Sequence, residues 1–242
     1  MISSLFHNIL YVPIYNLLIF FVDIVPNGDV GIAVILVTII VKLILAPLSI
    51  SAMKTQRRMK FVEPQIKEMR AKHKDDKEKQ AREMMEIYKN NGIRPFASIF
   101  ATFLQLPIII ALYLVFRHEH LLSPNTSLIY HFVALPPHIS PLFLGIFPTT
   151  QHVLILAILA AIAQFAQAYF TIPVPEKSSG SAPVASEDFA RALAVQSRFI
   201  LPVIIGVVAY TAGALALYFI TSCVIGLLQE VYVRRVLRNL GK

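Results

Sequence analysis

Lys42 is a lone cation inside the apolar run Val30–Ile50, VGIAVILVTIIVKLILAPLSI. A formal charge near the middle of a bilayer costs roughly 2.5–3.5 kcal/mol. A chain keeps such a residue where water or a partner lowers that cost. No other predicted span carries an acidic residue near its centre, so water is the expected solvent. The chemistry open to a hydrated ammonium at that depth is electrostatic capture of an anionic group. Thr38 lies four positions before Lys42 and Ser49 seven after it, so a helix through this run presents all three on one face. Other polar groups interrupt the later apolar runs: Gln105, then Gln164 and Gln167, then Thr221 and Ser222, and finally Gln229. Singly, such residues are bonds between helices worth about 0.6 kcal/mol each. Their shared depth with Lys42 points to a groove open from one side.

Spans must hold these residues. The chain has 242 residues, 56% of them hydrophobic and only 15% charged, with a mean hydropathy of +0.66. These values depart from those of soluble globular domains. The apolar blocks are long enough to cross a hydrocarbon core of about 30 Å, which takes roughly 20 helical residues. The expected fold is an all-α integral membrane protein with five transmembrane helices, a cytoplasmic two-helix hairpin and an N-terminal interfacial helix. The expected boundaries are an interfacial helix and entry loop over 1–29, a first span over 30–53 and the hairpin over 54–95. A second span follows over 96–116, an outer loop over 117–151 and a third span over 152–171. A linker over 172–197, fourth and fifth spans over 198–233 and a basic tail over 234–242 complete the chain. Met1–Val25 is apolar enough to span. However, Asn8, Asn16 and Asp23 recur eight and seven apart, on one helical face, which favours a helix lying in the interface.

The net charge of +8 is uneven. Residues 54–95 hold 13 Lys and Arg against 7 Asp and Glu, and the tail carries Arg234, Arg235, Arg238 and Lys242. Residues 1–29 hold no Lys or Arg, and 117–151 only Arg117. Basic loops stay on the cytoplasmic side, which sets the N-terminus outside and the C-terminus inside a cell membrane. No basic residue precedes Lys42, so a cleaved secretory signal is not expected. The single cysteine, Cys223, reads as a small packing residue. The histidines of the outer loop lack a tight helical spacing, so no metal is expected, nor any other cofactor. The chain has no Gly-rich phosphate loop.

Within the hairpin, Pro64 has no backbone N–H and is expected to open a new helix. Ile66 and Met69 give that helix one apolar strip, and Ala81, Met84, Met85 and Tyr88 give its partner another. His73–Asp76 is the turn between them, and Asn90-Asn91-Gly92 ends the second helix. The basic excess suits RNA, anionic headgroups or a protein partner.

The pattern around Lys42, the hairpin VEPQIKEMRAKHKDDKEKQAREMMEIYKNNGIRPF, the run FLQLPIIIALY over Phe103–Tyr113 and AGALALYF over Ala212–Phe219 together resemble the YidC/Oxa/Alb family of membrane protein insertases. The likeness runs in order from about Tyr11 to Arg235. It resembles the minimal five-span bacterial form, without the extra span and large external domain of some members. The resemblance implies a non-enzymatic insertase and chaperone that works without nucleotide, through a hydrophilic groove open to cytoplasm and lipid. It puts Lys42 where bacterial members usually carry Arg, and Phe219 at a position often aromatic in the family. The implied groove residues are Lys42, Thr38, Gln105, Gln164, Gln167, Ser222 and Phe219. The implied docking residues are Arg57, Arg58, Lys60, Lys67, Arg70 and Lys72, with Arg234, Arg235 and Arg238 of the tail. Implied partners are nascent membrane proteins, the ribosome, the Sec translocon with targeting factors, and membrane lipids. Two rival classes stay open: a small transporter or channel using Lys42 as an ion site, and a purely structural assembly factor.

Overall fold

The computed structural model describes residues 2–73, 76–93, 106–115, 124–171 and 185–240. It is all-α apart from one small hairpin: α1 Ser4–Ile24, α2 Val30–Ile44, α3 Ala46–Lys72, α4 Lys77–Asn90, α5 Leu106–Val115, α6 Leu154–Thr171, α7 Ala185–Tyr210 and α8 Gly213–Leu240. Among the described residues, three helices are long and apolar enough to cross a membrane: Ser4–Ile24, Leu154–Thr171 and Gly213–Val236. A fourth is reached if α2 and α3 form one broken span. The protein is an all-α integral membrane protein. The chain divides into two compact units, Met1–Lys42 with Pro107–Leu228, and Leu43–Leu106 with Gln229–Lys242.

In the first unit, Tyr15, Leu18, Ile19, Val34, Val37, Leu112, Leu215 and Tyr218 form a fully buried core. The segment 124–153 is tied by hydrogen bonds to the starts of three helices and to the middle of α1. Asn16 donates to the Leu128 carbonyl at 2.8 Å and accepts from the Tyr130 N–H at 2.7 Å. The Tyr15 hydroxyl accepts from the Asn125 N–H at 2.8 Å. Asp29 caps α2, accepting from Ile32 N–H at 3.0 Å, and its other oxygen takes the Leu144 N–H at 2.7 Å. Leu144 sits at φ 53° in the turn between β1, Leu142–Phe143, and β2, Phe147–Pro148. A left-handed non-glycine residue costs roughly 1–2 kcal/mol, which the charged acceptor offsets. Ala214 N–H donates to Thr149 O at 2.8 Å and Gly213 N–H to Gln151 O at 3.0 Å, so the first turn of α8 is satisfied by this segment. A side chain at Gly213 would overlap the Pro148 carbonyl.

The second unit is organised by α3 and α4. Val62, Ile66, Met69 and Ile93 are buried together, with Met59, Met84, Ile87 and Tyr88 packed around them. His73 bridges Glu83 at 3.1 Å, and Arg58 donates to the Gly92 carbonyl at 3.1 Å.

Several expectations are corrected. The first apolar run is not one helix to Ser51, because α2 ends at Ile44 and Leu45 separates it from α3. Pro47 is responsible: it lacks the N–H that would bond Leu43 O, and its ring crowds that carbonyl. Ser49 consequently belongs to another helix, bonding Leu45 O at 3.1 Å, and does not extend the face of Thr38 and Lys42. Pro64 does not open a helix; it lies inside α3, exposed. The apolar side through Val62, Ile66 and Met69 packs across it, and water can satisfy the orphaned carbonyl. Asn16 is 3% exposed and bonded, so the Asn8–Asn16–Asp23 face is not a polar stripe toward water. The expected linker over 172–197 is helical from Ala185 onward.

Candidate functional site

Helices α2, α6 and α8 all start at the segment 124–153, so distances along them can be counted from a common end. Lys42 is twelve residues past Val30, Gln164 ten past Leu154 and Ser222 nine past Gly213. At 1.5 Å per residue these stand about 18, 15 and 14 Å along their helices. The three polar positions therefore share a level, and Cys223, next to Ser222, links two of them. Lys42, in the last turn of α2, is half-buried and lies within electrostatic range of Cys223. The Cys223 thiol donates to Gln164 Oε1 at 3.3 Å. One turn on, Gly226 leaves room for Gln167, whose amide a β-carbon at 226 would overlap. Ser222 is 7% exposed, and its Oγ has no hydrogen-bond partner among the described residues. A buried hydroxyl without a protein partner is a place for water. The arrangement is a cation beside amide, thiol and hydroxyl groups, all within apolar helices. It can attract and solvate an anionic group.

Other site residues stand elsewhere. Thr38 is 1% exposed and its hydroxyl donates to Val34 O at 2.7 Å in its own helix. Phe219 is 5% exposed and packs edge-on against Tyr218 at 5.2 Å. Gln105 lies outside the described residues. Sequence reasoning missed Cys223 as a member of the cluster, and Gly226 beside it. The signal was available: Cys223 and Gly226 are small residues one turn apart in α8, facing Gln164 and Gln167.

The basic residues divide by partner. Arg57 of α3 and Arg234 of α8 both bind Glu230. Lys67 pairs with Glu63 at 3.2 Å, and Arg70 reaches the Met84 sulfur at 4.0 Å. Lys60, Lys72 and Arg235 are exposed, while the Arg238 side chain lies outside the described residues. Phe61, 75% exposed, lines a hollow with Arg58, Asn90, Asn91 and Gly92. Among the described residues, no three His, Cys, Asp or Glu stand close enough to hold a metal ion.

The family of the 60Kd inner membrane protein matches residues 20–239. Membrane protein insertase YidC of Actinobacillus pleuropneumoniae is 30% identical over 232 residues, covering 95% of this chain and 37% of that protein. YidC of Clostridium tetani is 43% identical over 93 residues, 38% of this chain and 42% of its own. YidC of Brucella suis is 34% identical over 137 residues, 50% of this chain and 22% of its own. The chain spans less than half the length of these curated relatives.

Proposed function

Because this chain belongs to the 60Kd inner membrane protein family, the YidC/Oxa1 group, we propose that it inserts hydrophobic segments of nascent proteins into the cell membrane. The observation that carries this reading is that Cys223 lies between Lys42 and Gln164, with the unbonded Ser222 hydroxyl at the same level of otherwise apolar helices. In a hydrocarbon core about 30 Å thick, that level is close to the middle.

A polar tail crossing a bilayer meets a cost of roughly 2.5–3.5 kcal/mol per charged side chain at the centre. A groove wet to the level of Lys42 removes half of the dry path. The ammonium draws an acidic tail into it. The client's apolar helix then passes into lipid, which contributes about 25 cal/mol per Å² of apolar surface taken from water. No nucleotide is needed for that downhill step. The N-terminus is outside and the basic tail inside, with the segment 124–153 closing the outer end. Our reading keeps five spans, the α2 run, the run that contains α5, α6, the apolar part of α7, and α8, with α1 lying in the outer interface. The basic surface of α3, with Arg235, receives the ribosome or a targeting factor.

The test is insertion of a one-span client with an acidic tail into liposomes carrying the purified protein. Lys42→Arg is expected to keep insertion. Lys42→Glu should lower it at least about tenfold, since an attractive pair becomes a repulsive one. A client with a neutral tail should be affected much less. Equal losses for both clients would refute electrostatic capture, and Lys42-dependent flux of small anions would favour an ion pathway.

A further inference from the structure

Glu230 is a buried titratable group that the polar cluster does not use. It is the sole acidic residue of the chain after Asp188, and it is 3% exposed. Its Oε1 accepts from Arg234 Nε at 3.0 Å, one turn further along α8. The same oxygen accepts from Arg57 Nη2 of α3, 173 positions away in the chain. A buried carboxylate is costly unless it is paired and hydrogen-bonded. Arg234 alone would neutralise it. The second guanidinium adds what a neighbour in the same helix cannot: it fixes one segment against another. The Lys67–Glu63 and Arg82–Glu78 pairs make the contrast, both i,i+4 and with side chains at least 40% exposed. Such pairs hold nothing together across the fold.

Arg57 is itself committed to this contact. Its side chain is 30% exposed, and its Nε is buried without a partner among the described residues. A guanidinium reaching outward to capture RNA or lipid would show the opposite pattern. Its neighbours on α3, Lys60 and Phe61, are exposed.

We propose that Arg57 and Glu230 are positioning residues, a clasp that fixes the base of α3, and the basic surface it carries, to the C-terminal turns of α8. Arg57 is thereby removed from the docking set. The clasp stands on geometry alone; only its effect on insertion rests on the insertase reading.

The experiment is a double-substitution cycle in the full chain, in nanodiscs, with Arg57→Gln, Glu230→Gln and both together. Hydrogen exchange is read over residues 54–62 and 229–236, with Leu154–Thr171 as reference. Each single change should speed exchange in both segments at least about tenfold: Arg57→Gln leaves Glu230 bonded only within its own helix, and Glu230→Gln leaves the Arg57 and Arg234 guanidiniums facing each other without their shared carboxylate. The double change restores a neutral pair able to hydrogen-bond, and should return both segments near the starting rate. The reference helix should not move. Client insertion in liposomes should fall severalfold in each single variant and recover in the double. Unchanged exchange in Arg57→Gln, or losses in the double that simply add, would overturn the clasp. Loosened segments with full insertion would overturn its positioning role. If the unaltered protein inserts no client while the exchange pattern holds, the clasp stands and the insertase reading falls.

Discussion

Two levels of the same helices contrast sharply in how their polar groups are satisfied. At the end of the first unit that carries 124–153, Asn16, Asp29, Tyr15 and Thr149 are each bonded to a specific backbone group, at 2.7–3.0 Å. Some 14–18 Å further along, Cys223 and Gln164 are joined by a longer thiol-to-amide bond at 3.3 Å, and Ser222 Oγ has no partner among the described residues. The first level spends its polarity on fixing the backbone. The second leaves the Ser222 hydroxyl unbonded among the described residues. Densely bonded and sparsely bonded polar groups are thus separated along three helices that start together.

The largest break in that contrast should come from Asp29→Ala. It removes the cap of α2 and the acceptor holding Leu144 left-handed, two charge-assisted bonds at once, and should cost about 3 kcal/mol. Thermal unfolding in detergent would show this, with proteolysis newly admitted between 140 and 148. Unchanged stability would mean the closed end is held by something else. Gly226→Ala should be milder. The new methyl displaces the end of a flexible Gln167 side chain, not backbone, so stability should change by less than about 1 kcal/mol. Accessibility of a thiol reagent to Cys223 should change nonetheless, and a constant labelling rate would separate Gln167 from the cluster. Ser222→Ala sharpens the comparison most finely. In a dry site, losing an unpartnered hydroxyl is neutral or slightly stabilising. In a wet one it should lower stability by about 0.5–1 kcal/mol and slow insertion of acidic-tailed clients.

Much of this was readable in the residues, for physical reasons. Apolar runs near twenty residues announce a membrane protein because nothing else tolerates them, and Lys42 raised the expectation of a solvated level because lipid does not accept a bare charge. The break at Leu45 was equally present, in Pro47, but the continuous hydropathy from Val30 to Ile50 masked it. Pro64 misled in the other direction, since packing through Val62, Ile66 and Met69 carries α3 past a residue that local preference would make a start. Asn16 looked like a water-facing residue because periodicity records which face a residue is on. It does not record that a segment over a hundred positions away supplies the partner. The Cys223–Gln164 bond is likewise a long-range fact, joining residues 59 apart.

The interruption at Leu45 also bears on the sign of the charge it follows. A helix that stops presents its terminal oxygens as a negative pole, equivalent to about half an electron charge. Lys42 lies in that final turn, and Pro47 has no N–H to return to Leu43 O. An aspartate in its place would meet the same oxygens and be repelled. The preference for a positive group at this depth is therefore partly a property of the main chain.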